Sequence, residues 1–184
     1  LVRDINTQVK RILKVATDYG FDDNLWHNYL TFFLMMSENP FSMTCEKVGA
    51  SEGSVNALVE NDFRIFKALF DYDFGPIERD LGINCFSQIS NYKAIHKKDL
   101  MYNKNVSEKV RSLSKKLEAA KDEKEFFDAV TGFYKDYGVG MFGLNKAFRI
   151  DDTPQGSFTF RAINNMDTVM LDDLVGYEIQ KKKL

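Results

Sequence analysis

One stretch sets the architecture of the chain; it runs from Asp122 to Gly143 and reads DEKEFFDAVTGFYKDYGVGMFG. Its apolar residues recur at three- and four-residue steps, the spacing of one helix face, at Phe126, Val130, Phe133 and Tyr137. Asp122 with Glu125 three residues later resembles a capping box, and Gly138 is a natural C-cap. The stretch therefore predicts an amphipathic helix that ends in a tight glycine loop.

Upstream, the same periodicity predicts further helices. A first helix has its apolar face at Val2, Ile5, Val9, Ile12 and Ala16 and ends at Gly20. Asp22 or Asp23 is the expected cap of a second helix, whose apolar residues cover so much of its surface that we expect burial on most sides; they are Leu25, Trp26, Tyr29, Leu30, Phe33 and Met36. Asn39-Pro40 ends this helix, and a short turn or helix follows over residues 41–47.

The middle of the chain continues in the same way. Ser54 is the expected cap of a longer helix that runs to about Tyr72, before Gly75-Pro76 breaks it. Residues 76–102 predict shorter helical segments with loops. Ser107 is the expected cap of the next helix, which turns Val110, Leu113 and Leu117 inward and forms an antiparallel pair with the helix after Asp122.

After Gly143 the period changes from about 3.6 to two. Phe148 and Ile150 alternate with polar residues, as do Phe158, Phe160 and Ala162, and residues 151–157 between them are rich in turn formers. The pattern predicts a small β-hairpin, which is marginal alone and must lean on the helices or on a further module. The predicted fold class is thus mainly α, a multi-helix domain with a small β-hairpin near the C-terminus.

Composition limits the classes of function. A net charge of −2 and a pI near 5.8 argue against a general polyanion binder. The middle of the chain is nevertheless basic, with Lys93, Lys97, Lys98, Lys104, Lys109, Arg111, Lys115, Lys116, Lys121 and Lys124. Cys45 and Cys85 lie far apart without metal-ligand spacing, which favours a reducing, cytoplasmic location. No apolar run approaches the ~20 residues that span a bilayer, so no membrane partner is expected.

Several short patterns suggest sites. Residues 138–143 match G-x-G-x-x-G, but a dinucleotide site needs a strand before the glycines and a helix after them, and here a helix precedes them. Asp71-Tyr-Asp73-Phe-Gly75 resembles the start of a calcium loop but lacks its later ligands, so solvated helix-end acids are expected. His27 and His96 have no partner at catalytic or zinc spacing, and we expect a packed and a surface histidine respectively. No catalytic or metal-binding residue is assigned.

Aromatic and basic side chains alternate in one segment, a combination that can stack bases and contact phosphates; they are Tyr92, Lys93, His96, Lys97, Lys98, Tyr102 and Lys104. The alternative interpretation is a solvated face whose tyrosines anchor the core. Large aromatics could also form a surface patch for a protein partner, with Phe32, Phe41, Phe74, Phe86 and Phe142 as candidates.

The last residues, 169–184, read VMLDDLVGYEIQKKKL and place a Leu-Val-Gly turn before a new helical segment. Glycine allows backbone to approach a flat ligand, and Leu and Val offer an apolar cover for a ring. An ordinary strand-to-helix turn is the alternative.

This segment resembles the beginning of an AAA-type nucleotide-binding module. Three stretches are similar to the amino-terminal region of a bacterial AAA-type ATPase family without an established role: residues 38–42 with Cys45-Glu46, the loop 138–143 leading into 147–149, and residues 174–177 with Gln180-Lys181. The resemblance implies a helical N-terminal domain at 1–144, an appended hairpin at 145–168, and the start of the ATPase module at 169–184. It also implies an adenine-side role for Leu174, Val175, Gly176 and Tyr177.

The 184 residues contain no Walker A loop, so ATP and magnesium are implied for a longer parent protein rather than for this stretch. The expected function is an interaction or regulatory domain that contacts a protein partner or neighbouring subunits of a homo-oligomeric ATPase. Two alternatives remain open: a helical domain that engages nucleic acid through the basic region 93–124, and a stand-alone helical enzyme.

Overall fold

The chain folds into helices followed by one antiparallel hairpin. This computed structural model describes residues 1–50, 54–94, 103–153 and 156–163, with 54–58 as backbone alone. The described helices are α1 (Val2–Tyr19), α2 (Leu25–Met36), α3 (Pro40–Val48), α4 (Ser54–Phe70), α5 (Gly75–Leu81), α6 (Cys85–Ser90), α7 (Lys104–Ala119), α8 (Glu123–Tyr137) and α9 (Gly140–Leu144), and the strands are β1 (Phe148–Asp152) and β2 (Phe158–Ala162). The prediction of a mainly helical fold with a C-terminal hairpin is confirmed.

The core lies where α2, α7 and α8 meet, with α1, α3, α4 and α9 packed around them. Most of the fully buried apolar side chains come from those three central helices; they include Leu25, Met35, Val110, Leu117, Phe126 and Val130, all 0% exposed. Each such side chain contributes roughly 1.5–3 kcal/mol by leaving water. The predicted inward positions of α7 and most of those of α8 are therefore correct.

The second helix is buried on most sides, as predicted. Every residue of α2 is buried or half-buried except Phe33, which is 52% exposed. Tyr137, the last member of the α8 stripe, is 53% exposed because the helix ends beyond the core there. Over the described ranges, no helix is both long and apolar enough to cross a membrane.

The start of α2 differs from the prediction. Asn24, rather than Asp22 or Asp23, caps the helix, and its side chain accepts a hydrogen bond from the backbone N–H of His27. Asp23 has a left-handed φ of 64° and exchanges two backbone hydrogen bonds with Tyr92. The Asp22 carboxylate accepts the N–H of Ala94. Both acids thus join this turn to residues 92–94, Asp22 through its carboxylate and Asp23 through its backbone.

The caps of two later helices also refine the predictions. Asn103 rather than Ser107 caps α7; Ser107 lies in the first turn, and its hydroxyl donates to the Gly20 carbonyl. Asp122 does cap α8, but the Glu125 carboxylate accepts the N–H of Lys121 instead of completing a capping box. Ser54 is the first described residue of α4, and the residues before it, 51–53, lie outside the described part of the chain, so its predicted role as a cap stays a prediction.

Candidate interaction surface on the hairpin

The glycine loop after α8 positions the hairpin. Gly138 ends α8 with a φ of 81°, and Gly140 has a φ of 68°, both in the region that favours glycine. A Cβ on Gly143 would lie 2.4 Å from the carbonyl carbon of Gly138, so two glycine backbones touch. The prediction that Gly138 ends the helix and opens a tight loop is confirmed. The short helix α9 inside this loop was not predicted, because its five residues are too few to establish a helical period.

Two carboxylates of distant sequence hold the same loop. Glu46 on α3 accepts the backbone N–H of Val139 through Oε2 at 3.1 Å. Glu38, just before α3, lies so close to Gly140 that a Cβ there would come within 1.8 Å of its Oε1. The stretches around residues 38–46 and 138–143, quoted separately in the sequence, are therefore in direct contact.

The opposite side of α9 rests on α7. The Lys109 ammonium donates to the carbonyls of Gly143 (2.9 Å) and Leu144 (3.3 Å) and lies 5.0 Å from the centre of the Tyr137 ring. Burial, and then the nearby charge of Lys146, lowers the pKa of Lys109. Asn105 donates to the Leu144 carbonyl at 2.8 Å, and the side chain of the α7 cap donates to that of Asn145. These bonds satisfy the last carbonyls of α9 and fix its direction.

The hairpin has one apolar face and one charged face. The register pairs Phe148 with Ala162, Ile150 with Phe160 and Asp152 with Phe158, which places these six residues on one face. Phe142 of α9 joins that face, with its ring 4.9 Å from that of Phe148 and 5.5 Å from that of Phe160. The other face carries Arg149, Asp151, Thr159 and Arg161, where Arg161 pairs with Asp151 at 2.7 Å.

Much of the apolar face is uncovered. Phe158 is 64% exposed, Ile150 61%, Phe142 57% and Phe160 38%. We call these four residues the hairpin surface. Contiguous exposed apolar side chains of this size are typical of sites that contact another protein. Of the five aromatics proposed from the sequence for a patch, only Phe142 is exposed, whereas Phe41 is buried at 7%. Phe158 and Ile150 were not proposed, although their alternation had placed them on one face.

His27 is packed, as predicted, and has a carboxylate neighbour that the sequence did not reveal. Its Nε2 lies 2.8 Å from the Phe70 carbonyl, which can only accept, so Nε2 carries the proton. The ring stacks on Phe70 at 4.2 Å. Nδ1 is buried without a hydrogen bond and lies 3.9 Å from Oε1 of Glu118 on α7. His96 lies outside the described residues.

The acids at the end of α4 have local roles. Asp71 pairs with Lys67, at 2.5 Å, and Asp73 accepts the N–H of Gly75. Both agree with the expected helix-end acids. Within the described ranges, no group of three or more His, Cys, Asp or Glu side chains is arranged to hold a metal ion.

The basic region is described only in part. Lys104 lies 3.9 Å from Glu108, and Arg111 lies 4.0 Å from Asp23, so acidic residues interleave with the cations of α7. The aromatic-basic segment between residues 95 and 102 lies outside the described residues, and so do Leu174, Val175, Gly176 and Tyr177. No protein-family model, curated protein or solved structure matches the chain.

Proposed function

We propose that this chain is a helical interaction and regulatory domain that precedes an AAA-type nucleotide-binding module, and that the hairpin surface docks on that module. The single observation that supports the proposal is the uncovered apolar face of Phe142, Ile150, Phe158 and Phe160. A two-stranded hairpin is marginal in water by itself. A partner that covers this face would both bury apolar area and stabilise the hairpin.

The position of the hairpin in the chain favours the ATPase module as the partner. β2 ends at Ala162, and the segment 169–184 that resembles the beginning of the module follows within a few residues. A covalent neighbour has a high effective concentration, so a modest apolar face is sufficient for docking. In the assembled ring the same face could meet a neighbouring subunit of the homo-oligomer, which would couple the helical domain to nucleotide state.

The bonds that hold α9 also support a defined orientation of the hairpin surface. α9 is tied to α3 through Glu46 and to α7 through Lys109, so the hairpin leaves the helical core in a defined direction. A surface held in this way is preorganised, which lowers the entropic cost of docking. ATP and magnesium belong to the proposed parent protein, with Leu174, Val175, Gly176 and Tyr177 on the adenine side.

The proposal is tested first by the coding sequence beyond Leu184, which should contain G-x-x-x-x-G-K-[ST] within a few tens of codons. The full-length protein is then compared with its Ile150→Ser/Phe158→Ser variant. Because both side chains are exposed, the variant should fold normally, while its ATPase rate or its nucleotide-dependent assembly should fall by about tenfold. Steady-state ATP hydrolysis and light scattering coupled to size exclusion measure the two effects.

A matched control lies on the opposite face of the same strands. Arg149→Ser/Thr159→Ser changes positions that are also exposed but do not belong to the hairpin surface. It should leave hydrolysis and assembly unchanged. A gene without a phosphate-binding loop, or equal behaviour of the two double variants, would refute the proposal.

A further inference from the structure

A polar cavity lies away from the hairpin, between the start of α2, the end of α6 and one face of α7. It is a small cavity of about 230 Å³. Its described walls are entirely polar or charged: Asp22, Asp23, Asn24, Asn28, Ser90, Arg111, Ser114, Lys115 and Glu118. A cavity of this volume suits a compact molecule and not a polymer segment. These walls favour an occupant that carries charged groups.

Two of these walls are buried polar side chains with unused hydrogen-bonding capacity. Ser114 is 5% exposed, and none of the described residues accepts from or donates to its hydroxyl. Asn28 is 4% exposed; its amide nitrogen donates to the Asp22 carbonyl at 2.7 Å, whereas its amide oxygen receives no hydrogen bond from the described residues. Neither oxygen is fully enclosed, so a molecule in the cavity can reach both of them. The cavity thus presents a hydroxyl and an amide oxygen that a ligand can satisfy.

The charged walls supply both signs. Arg111 lies 4.0 Å from Asp23 between nearest N and O atoms, which is too far for a hydrogen bond, so its donors remain open. Lys115 has no ion pair with any described residue and lines the same cavity. The carboxylates come from Glu118, on the same face of α7, and from Asp23 on the turn before α2. The cavity therefore offers protein cations that can bind a ligand carboxylate, and protein carboxylates that can bind a ligand ammonium group.

The cavity walls are held in place by interactions outside the cavity. Arg111, Ser114, Lys115 and Glu118 share one face of α7 because they are spaced by three and four residues. The turn that carries Asp23 is fixed by its paired backbone hydrogen bonds with Tyr92, at 2.9 and 3.0 Å. The backbone positions of the charged residues are thus fixed by a helix and a pinned turn.

We propose that this cavity binds a small zwitterion, specifically a free α-amino acid. Its carboxylate pairs with Arg111 and Lys115 and accepts from the Ser114 hydroxyl. Its ammonium group pairs with Asp23 or Glu118 and donates to the Asn28 amide oxygen. The site is independent of the hairpin surface and does not depend on the presence of an ATPase module.

The test is a titration of the chain, labelled with ¹⁵N, with each of the common α-amino acids, followed by amide chemical shifts. At least one amino acid should give saturable shifts at residues of α2 and α7 around the cavity, at concentrations below about 10 mM. If alanine is that amino acid, two analogues serve as controls. Propionate lacks the ammonium group of alanine, and ethylamine lacks its carboxylate. Each should bind at least about tenfold more weakly, because a charge-assisted hydrogen bond is lost.

Matched variants on neighbouring positions of α7 locate the site. Lys115→Gln should weaken binding about tenfold, whereas Lys116→Gln, which does not line this cavity, should leave the affinity unchanged. Arg111→Gln should act like Lys115→Gln, and circular dichroism verifies that all three variants are folded. The proposal is overturned if no amino acid produces saturable shifts, or if Lys115→Gln and Lys116→Gln have the same affinity as the unaltered chain.

Discussion

Gly143 is the residue at which the loop tolerates least change. A Cβ there would meet the carbonyl carbon and oxygen of Gly138 at 2.4 and 2.7 Å, and backbone atoms cannot rotate away. Gly143→Ala should therefore lower the free energy of unfolding by about 2 kcal/mol, as overpacking does elsewhere. Urea denaturation followed by circular dichroism measures the change.

Gly132 provides the matched control, since it is a glycine inside α8 whose added Cβ would meet no atom within 4 Å. Gly132→Ala should raise the free energy of unfolding by up to about 1 kcal/mol, because alanine is the better helix former. If both substitutions destabilise to the same extent, contact between the two loop glycines is not the cause.

Tyr134 gives the chain a defined response to alkali. Its hydroxyl donates to the Leu34 carbonyl at 2.9 Å, and burial, with a smaller contribution from Cys45, raises the pKa of this phenol. The folded state then holds a proton that the unfolded state releases above pH ~10, so stability falls as pH rises through that range.

Tyr134→Phe separates this effect from the other tyrosines. Near neutral pH the variant should lose about 1 kcal/mol with its hydrogen bond. Above pH ~10 the gap to the unaltered chain should narrow by about 1 kcal/mol per pH unit, because phenylalanine has no proton to release. Urea midpoints across this range supply the measurement, and a gap that stays constant would contradict the assignment.

Individual cap and pair assignments were the least predictable features. Asp22 and Asp23 have the right chemistry for a cap, but Asn24 takes the position. The Asp22 carboxylate accepts from Ala94, and backbone pairing with Tyr92 fixes the turn at Asp23. The approach of Glu118 to His27 joins residues far apart in the chain. No local pattern encodes such contacts, because they depend on how α2 and α7 pack.

The beginning of α7 allows its cap to be tested directly. Asn103 accepts the N–H of Val106 and donates to Asn145, whereas Ser107 makes only a long bond of 3.3 Å to Gly20. Asn103→Ala should destabilise the chain by about 1–2 kcal/mol, and Ser107→Ala by clearly less. Thermal unfolding measures the loss of stability in the two variants. A larger loss in Ser107→Ala than in Asn103→Ala would contradict the assignment of Asn103 as the cap.

Elements were better predicted than their ends. The change of period from about 3.6 to two correctly located the hairpin, and Gly20 and Gly138 correctly ended their helices. α9 was missed because five residues are too few to establish a helical period. Its existence depends on bonds from Lys109 and Asn105, which lie more than thirty residues earlier in the sequence.

The molecule as a whole combines a predictable core with surfaces that only the fold defines. The apolar stripes of α2, α7 and α8 predicted most of the buried positions, with Phe33 and Tyr137 as exceptions. The hairpin surface and the polar cavity could not be predicted in this way, since each gathers residues from three elements or more. The first is apolar and the second is charged, so the two proposed binding surfaces can be tested separately.

The chain contains one tryptophan, and its place in the fold makes it a natural optical reporter. The indole N–H of Trp26 donates to the Leu69 carbonyl at 2.8 Å, and its ring meets Phe74 edge-on at 5.3 Å. Separation of α2 from the end of α4 would move this ring into water and shift its emission to longer wavelength. The emission wavelength of Trp26 therefore reports the separation of α2 from α4 without any added label.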